Sequence, residues 1–107
     1  MLRTVVCVSG GGTNLQAILD ALDQGRITNV EIRAVISNNP GAKALERAAS
    51  HGIEGIVMSP KRYPDRESFN EEFTGKMCEL DPDLIVLAGF LVRIPPQMVA
   101  RFANRII

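Results

Sequence analysis

Six consecutive residues near the start of the chain, Ser9-Gly10-Gly11-Gly12-Thr13-Asn14, are of the types that could hold an anion. Glycines bring backbone amides close to a ligand because no Cβ intervenes. An apolar run, Val5-Val6-Cys7-Val8, enters this stretch, and an amphipathic run from Leu15 to Leu22 leaves it. A strand, a glycine turn and a helix are implied. The first amides of such a helix lack partners within it, and its dipole is positive there. Phosphate suits such a place. A plain tight turn accounts for the same residues without a ligand.

Other glycine-rich sites fit less well. A dinucleotide turn reads Gly-x-Gly-x-x-Gly and is followed by an acidic residue at the end of the second strand. Gly10 and Gly12 match, but Leu15 replaces the third glycine, and the second strand runs into Ser37-Asn38-Asn39. A phosphate loop of the Gly-Lys-Ser/Thr type needs a lysine that is absent after these glycines. A phospho-acceptor domain would carry acidic residues where Ser9 and Gly10 stand. What remains is a mononucleotide-type anion site, with amides from Gly11, Gly12 and Thr13, the Thr13 hydroxyl and the Asn14 amide as donors.

The elements that position this turn follow in alternation. Strands are expected at 4–8, 31–36, 55–58 and 84–88, the last read as the central strand because it is the most apolar run. Helices are expected at 14–24, 42–50, 65–80 and 95–102. Leu15, Ile18, Leu19 and Leu22 form one stripe, and Phe69, Phe73, Met77 and Leu80 form another, both read as core. In the second helix Ala44, Leu45, Ala48 and Ala49 are expected inward. Gly25 should end the first helix, His51-Gly52 the second, and Asp65 should cap the third. Ser59 to Pro64 reads as an irregular basic loop. Ile106-Ile107 opens a fifth strand. Strand–helix alternation means an α/β parallel sheet, with ligands at the carboxyl ends of the strands. The loops after strands one and four, Gly10–Asn14 and Gly89–Ile94, should flank one crevice.

The bulk properties narrow the class. The chain has 107 residues, one domain or part of one, and 46% of them are apolar. Twelve basic and twelve acidic residues cancel, without the patches that nucleic acid or a membrane surface would require. No targeting segment or spanning run is seen, which points to the cytoplasm. Cys7 and Cys78 have no metal spacing and read as reduced core residues, and no metal is expected. His51, the single histidine, has a structural explanation at a helix carboxyl end and a catalytic one without a partner in sequence. Arg66 opposes the dipole in a first helical turn; a solvated arginine and an anion contact explain it equally.

Taken together, Val8-Ser9-Gly10-Gly11-Gly12-Thr13-Asn14-Leu15-Gln16-Ala17-Ile18, Ala34-Val35-Ile36-Ser37-Asn38-Asn39, Leu45-Glu46-Arg47-Ala48, Asp65-Arg66-Glu67 and Pro82-Asp83-Leu84-Ile85-Val86-Leu87-Ala88-Gly89-Phe90 resemble the phosphoribosylglycinamide formyltransferase family of purine biosynthesis. The resemblance implies the Rossmann-like formyltransferase fold, a mostly parallel sheet flanked by helices and incomplete at its carboxyl end. It implies transfer of a formyl group from the cosubstrate 10-formyltetrahydrofolate to glycinamide ribonucleotide. Gly12, Thr13 and Asn14 match positions that hold the ribonucleotide phosphate. Arg66 matches a folate-contacting arginine, and Leu91, Val92, Arg93 and Ile94 match a loop lining the folate pocket. The family often carries arginine where this chain has Val92, with Arg93 one place later.

The catalytic Asn-x-His of the family follows the stretch matched here, and its catalytic aspartate lies further on. No catalytic residue is therefore assigned within residues 1–107, and the chain reads as the amino-terminal, ribonucleotide-binding half, inactive alone. A sheet edge exposed beside the fourth strand would favour self-association. The alternatives are a formyltetrahydrofolate hydrolase, which shares the fold, and a non-enzymatic nucleotide- or anion-binding module.

Overall fold

The structure is a computed structural model describing residues 1–107. Four parallel strands, β1 (Leu2–Val8), β2 (Val30–Ser37), β3 (Glu54–Val57) and β4 (Leu84–Leu87), form one sheet in the order β3-β2-β1-β4. Helices α1 (Thr13–Asp23), α2 (Lys43–Ser50), α3 (Arg66–Leu80) and α4 (Pro96–Arg101) connect and follow them. A short 3-10 turn, Pro60–Arg62, interrupts the loop expected to be irregular throughout, started by the fixed φ of Pro60.

Alternation along β1 splits the core in two. Val5 and Cys7 point to the face covered by Phe69, Phe73 and Met77 of α3 and by Met98 and Phe102. Val6 and Val8 point to the face covered by Leu15 and Leu19 of α1 and by Ala44 and Ala48 of α2. Period-two alternation on a strand buried on both faces gives this division. Each fully buried phenylalanine contributes roughly 1.5–3 kcal/mol of transfer free energy. Leu80, Ile18 and Leu22 are only partly buried at the margins of their stripes.

The helix ends are local in origin. Gly25 has φ 73°; its amide reaches Leu22 O at 3.1 Å, and Arg26 N reaches Ala21 O at 2.9 Å. This is the paired-bond ending that a left-handed glycine permits. Gly52 ends α2 in the same way, with Ile53 N on Ala48 O at 2.9 Å. Asp65 caps α3 by accepting from Ser68 N at 2.7 Å.

The apolar run beginning at Leu84 forms β4, which lies beside β1 and has the opening of a further strand on its other side. Its apolar character comes from cover on both sides, because residues 105–107 pair with its outer edge. Ile85 N donates to Arg105 O at 2.7 Å, Leu87 N to Ile107 O at 2.8 Å, and Ile107 N to Ile85 O at 2.9 Å. That pairing corrects the expectation of a bare edge beside β4, and it is the opening of the fifth strand read at Ile106-Ile107. A further expectation also changes: Ala49 is exposed, while Ala42, just before α2, is buried instead.

Candidate functional site

The glycine turn leaves the carboxyl end of β1 at the centre of the sheet. Gly12 is the residue preceding α1, with φ 77° and ψ 32°, and its carbonyl accepts the first helical bond from Gln16 N at 2.8 Å. No side chain caps α1. The amides of Gly10, Gly11 and Gly12 donate to no carbonyl or side chain of the chain. With the free first-turn amides of Thr13, Asn14 and Leu15, they form a run of unpaired donors at the positive end of a helix dipole. Thr13 and Asn14 are exposed.

The reason for glycine differs along the turn. A Cβ on Gly10 or Gly11 would meet nothing within 4 Å, so these two leave an open approach. A Cβ on Gly12 would lie 2.6 Å from Ala44 Cβ. Gly12 is glycine because of its left-handed backbone and the close passage of α2. A side chain there would strike α2 rather than enter the anion approach.

The second glycine loop meets the first. Leu91 N donates to Ser9 Oγ at 2.8 Å, tying the loop after β4 to the loop after β1. β1 and β4 flank the point where strand order reverses, where such folds form their crevices. Two cavities open along the loop after β4. One, of about 520 Å³, is lined by Ser9, Asn38, Asn39, Ser59, Lys61, Leu91 and Val92, among others. The other, of about 330 Å³, is lined by Arg66, Asn70, Arg93, Ile94, Pro95 and Pro96. The loop 91–94 thus divides, Leu91 and Val92 facing the first cavity and Arg93 and Ile94 the second. Gly12, Thr13 and Asn14 line neither.

Arg66 and Arg93 come together in the smaller cavity. Arg66 Nη2 donates to the Arg93 carbonyl at 3.2 Å, and its guanidinium lies 5.5 Å from the Phe69 ring centroid. Such packing offsets the unfavourable dipole at the start of α3. Each cavity also contains a buried acceptor without a partner, Asn38 Oδ1 in the larger and Asn70 Oδ1 in the smaller.

His51 lies elsewhere. It follows α2, with Nδ1 3.0 Å from Arg47 O and Nε2 3.2 Å from Asp23 Oδ2. Both ring nitrogens face acceptors, so the protonated ring is favoured: first by the Arg47 carbonyl, then by Asp23, the histidine pKa is raised. It clips the ends of α1 and α2 together, the structural explanation. Cys7 is buried in β1, where burial pushes its thiol up to about 12. It is an inert core residue. No three His, Cys, Asp or Glu side chains converge as metal ligands.

Sequence reasoning assigned no role to Asn38, Lys61 or Asn70, nor to Arg47, whose Nε donates to Gly11 O at 2.8 Å. Only the polar types at β2 and β3 ends hinted at the larger cavity. The Arg47 contact spans 36 residues and has no local signature.

The strand order and the paired carboxyl-end loops define a Rossmann-like α/β domain. Residues 2–107 match the formyl transferase family, and the chain belongs to it. It is 37% identical to the phosphoribosylglycinamide formyltransferase of Escherichia coli over 99% of its own length and 50% of that protein's. The enzyme of that name from Dictyostelium discoideum is 38% identical over 92% of this chain and 52% of its own length. The crystal structure of glycinamide ribonucleotide transformylase 1 from Symbiobacterium toebii superposes with a TM-score of 0.90 at 40% identity, covering 99% of this chain and 50% of that one. The chain spans about half the length of the curated relatives it matches. No helix is long and apolar enough to cross a membrane.

Proposed function

We propose that this chain forms the ribonucleotide-binding half of a phosphoribosylglycinamide formyltransferase of the cytoplasm. The observation that carries the reading is the run of unpaired amides through Gly10, Gly11 and Gly12 into the open start of α1. A phosphate dianion satisfies several such donors at once, and charge-assisted hydrogen bonds are the stronger kind. Gly12 and Thr13 would hold the phosphate through the backbone, Thr13 also through its hydroxyl, and Asn14 through its side-chain amide. The names of the relatives supply the substrate, glycinamide ribonucleotide.

The smaller cavity suits the cosubstrate. Arg66 and Arg93 put two cations beside the unpartnered Asn70 acceptor. That donor set fits an extended ligand with carboxylates, as folates are. Arg66, Arg93 and Ile94 would line its site in that cavity, with Leu91 and Val92 contacting it from the same loop on the side of the larger cavity. The 10-formyl derivative would supply an activated formyl group to an amine. This chain's residues bind and orient; none of them is a general base for the amine. Residues 1–107 contain no Asn-x-His, so formyl transfer by these 107 residues alone should stay at background.

Calorimetry of the chain with glycinamide ribonucleotide, alongside amide NMR, tests the reading. Binding with shifts centred on Gly10 to Asn14 is expected. A hydrolase, which acts on the folate alone, would show no ribonucleotide binding. A general anion module would bind inorganic phosphate as tightly as the ribonucleotide. In the same format, Arg66→Ala should weaken folate binding by about tenfold, the scale of one hydrogen bond to a charged group, while leaving ribonucleotide binding unchanged.

A further inference from the structure

The peptide between Gly11 and Gly12 has no hydrogen bond from within the glycine turn itself. Glycine stands on both sides of it, so rotation of the whole unit meets no Cβ. A Cβ at Gly10 or Gly11 would find open space, so neighbouring side chains do not confine the turn there. The Gly12 amide is hydrogen-bonded to nothing. One side chain from outside the turn hydrogen-bonds the unit, on the side where α2 passes close to Gly12. Arg47, on α2, donates from Nε to the Gly11 carbonyl at 2.8 Å.

That guanidinium is itself fixed. Its Nη1 donates to Gln16 Oε1 at 3.0 Å, and Gln16 Nε2 donates to Asp20 Oδ1 at 2.9 Å. Arg47 therefore forks between the glycine turn and the first turns of α1. A trans peptide is planar, with its carbonyl and its N–H on opposite sides. Drawing the Gly11 carbonyl towards Arg47 turns the Gly12 N–H the other way. Arginine suits this task, because its planar fork holds two acceptors in set directions.

We propose that Arg47 is a positioning residue for the anion site: it locks the Gly11–Gly12 peptide with the Gly12 amide directed at a phosphate-class ligand, through the carbonyl and not by touching the ligand. This rests on the phosphate reading given above. The alternative is that Arg47 only adds positive charge near the turn. The two differ in what the Gly12 amide does when no ligand is present.

The test uses the 15N-labelled chain and the variants Arg47→Ala, Arg47→Met and Arg47→Lys. Arg47→Met keeps the apolar stem should truncation to alanine cost the fold. Residual dipolar coupling of the Gly12 amide reads its orientation without ligand, with residues 15–23 of α1 as the internal reference. Titration with inorganic phosphate then gives affinity. The expected result is a Gly12 coupling averaged towards zero in Arg47→Ala and Arg47→Met, an unchanged α1, and phosphate binding weakened by about tenfold, the scale of one charge-assisted bond. Across all variants, affinity should follow the order of the Gly12 amide. An unchanged Gly12 coupling in Arg47→Ala and Arg47→Met overturns the proposal. So does affinity that follows charge alone, retained in Arg47→Lys while its Gly12 amide is disordered. Failure of the unmodified chain to bind phosphate would remove the anion reading instead, and the coupling measurement would still decide whether Arg47 orients the peptide.

Discussion

At the amino end of the sheet, Arg3 forks onto Asp83, with Nε at 3.1 Å and Nη2 at 2.9 Å, and reaches Asp81 at 3.1 Å. The backbones agree: Arg3 N donates to Asp83 Oδ2 at 2.9 Å, and Asp83 N to Arg3 O at 2.7 Å. At the carboxyl end of the same two strands, Gly10, Gly11 and Gly12 present amides without acceptors. The first end is closed on itself and fixes the pairing of β1 with β4. The second keeps its glycine amides free. A parallel sheet makes this division possible because all its strands finish at one edge, where loops can vary without disturbing the pairing at the other. Polar groups already satisfied by the fold have little to offer a ligand.

The largest effect should come from the residue that belongs to both categories. Gly12 lies in the ligand turn, yet its constraint is packing. Gly12→Val places a branched side chain at a positive φ and drives Cβ to within 2.6 Å of Ala44 Cβ. Left-handed strain and overpacking together should cost roughly 3 kcal/mol. Thermal melting should show a fall of roughly 10 °C or more. Gly11→Ala, with open space around it, should leave the melting temperature within about 2 °C and reduce phosphate binding severalfold. A Gly12→Val chain that melts normally would show that α2 does not press on the turn as described. Unaltered phosphate binding in Gly11→Ala would show that close approach at Gly11 is not needed.

Next comes the closed end. The bidentate Arg3 contact, through side chain and backbone, holds the Asp83 carboxyl well below the usual carboxylate range. A depressed native value means that the contribution is complete above the unfolded value, about 4, and is lost as pH falls below it. Melting temperature should therefore decline on acidification from pH 4 downwards. Asp83→Asn should lower stability at pH 7 and flatten that acid limb. Both groups are about one-third exposed, at 37% and 33%, so salt should erode part of the difference. Equal acid limbs in the two proteins would remove Asp83 as the group responsible.

How legible these ends were differs in kind. The strands, helices and caps followed from local rules: alternation in Val5–Val8, the stripe in Leu15–Leu22, Gly25 and Asp65 at their turns. The meeting of the Gly10–Asn14 and Gly89–Ile94 loops followed from topology. What escaped were contacts set by how the elements pack. Nothing near Gly12 announces Ala44, and nothing near Arg47 announces Gly11; both depend on α2 crossing the start of α1. The apolar run Leu84-Ile85-Val86-Leu87, by contrast, records a strand with a neighbour at each edge. Ala49 misled because alanine suits an exposed helix surface as well as a core. The division of residues 91–94 between two cavities depends on the path of an irregular loop, where no periodicity guides the reading.

The smallest expected effect lies at the far end of the helices that bear on the turn. His51 bridges the Arg47 carbonyl and the Asp23 carboxylate, and these acceptors raise its pKa above 6.5. A raised native value means that the contribution is complete below the unfolded pKa and is lost as pH rises through the native one. Asp20 adds to the same field from α1. Melting temperature should thus fall slightly as pH climbs from 6.5 towards 8, opposite in sense to the Asp83 limb. Asp23→Asn should weaken this alkaline decline, and His51→Gln should abolish it while leaving the acid limb in place. The clip holds the carboxyl ends of α1 and α2, whereas Gly12 and Arg47 link the start of α1 to α2. If the two contacts act independently, phosphate binding in His51→Gln should match the unmodified chain at pH 6.5. A parallel loss of phosphate affinity would instead join the closed and open regions through the α1–α2 pair.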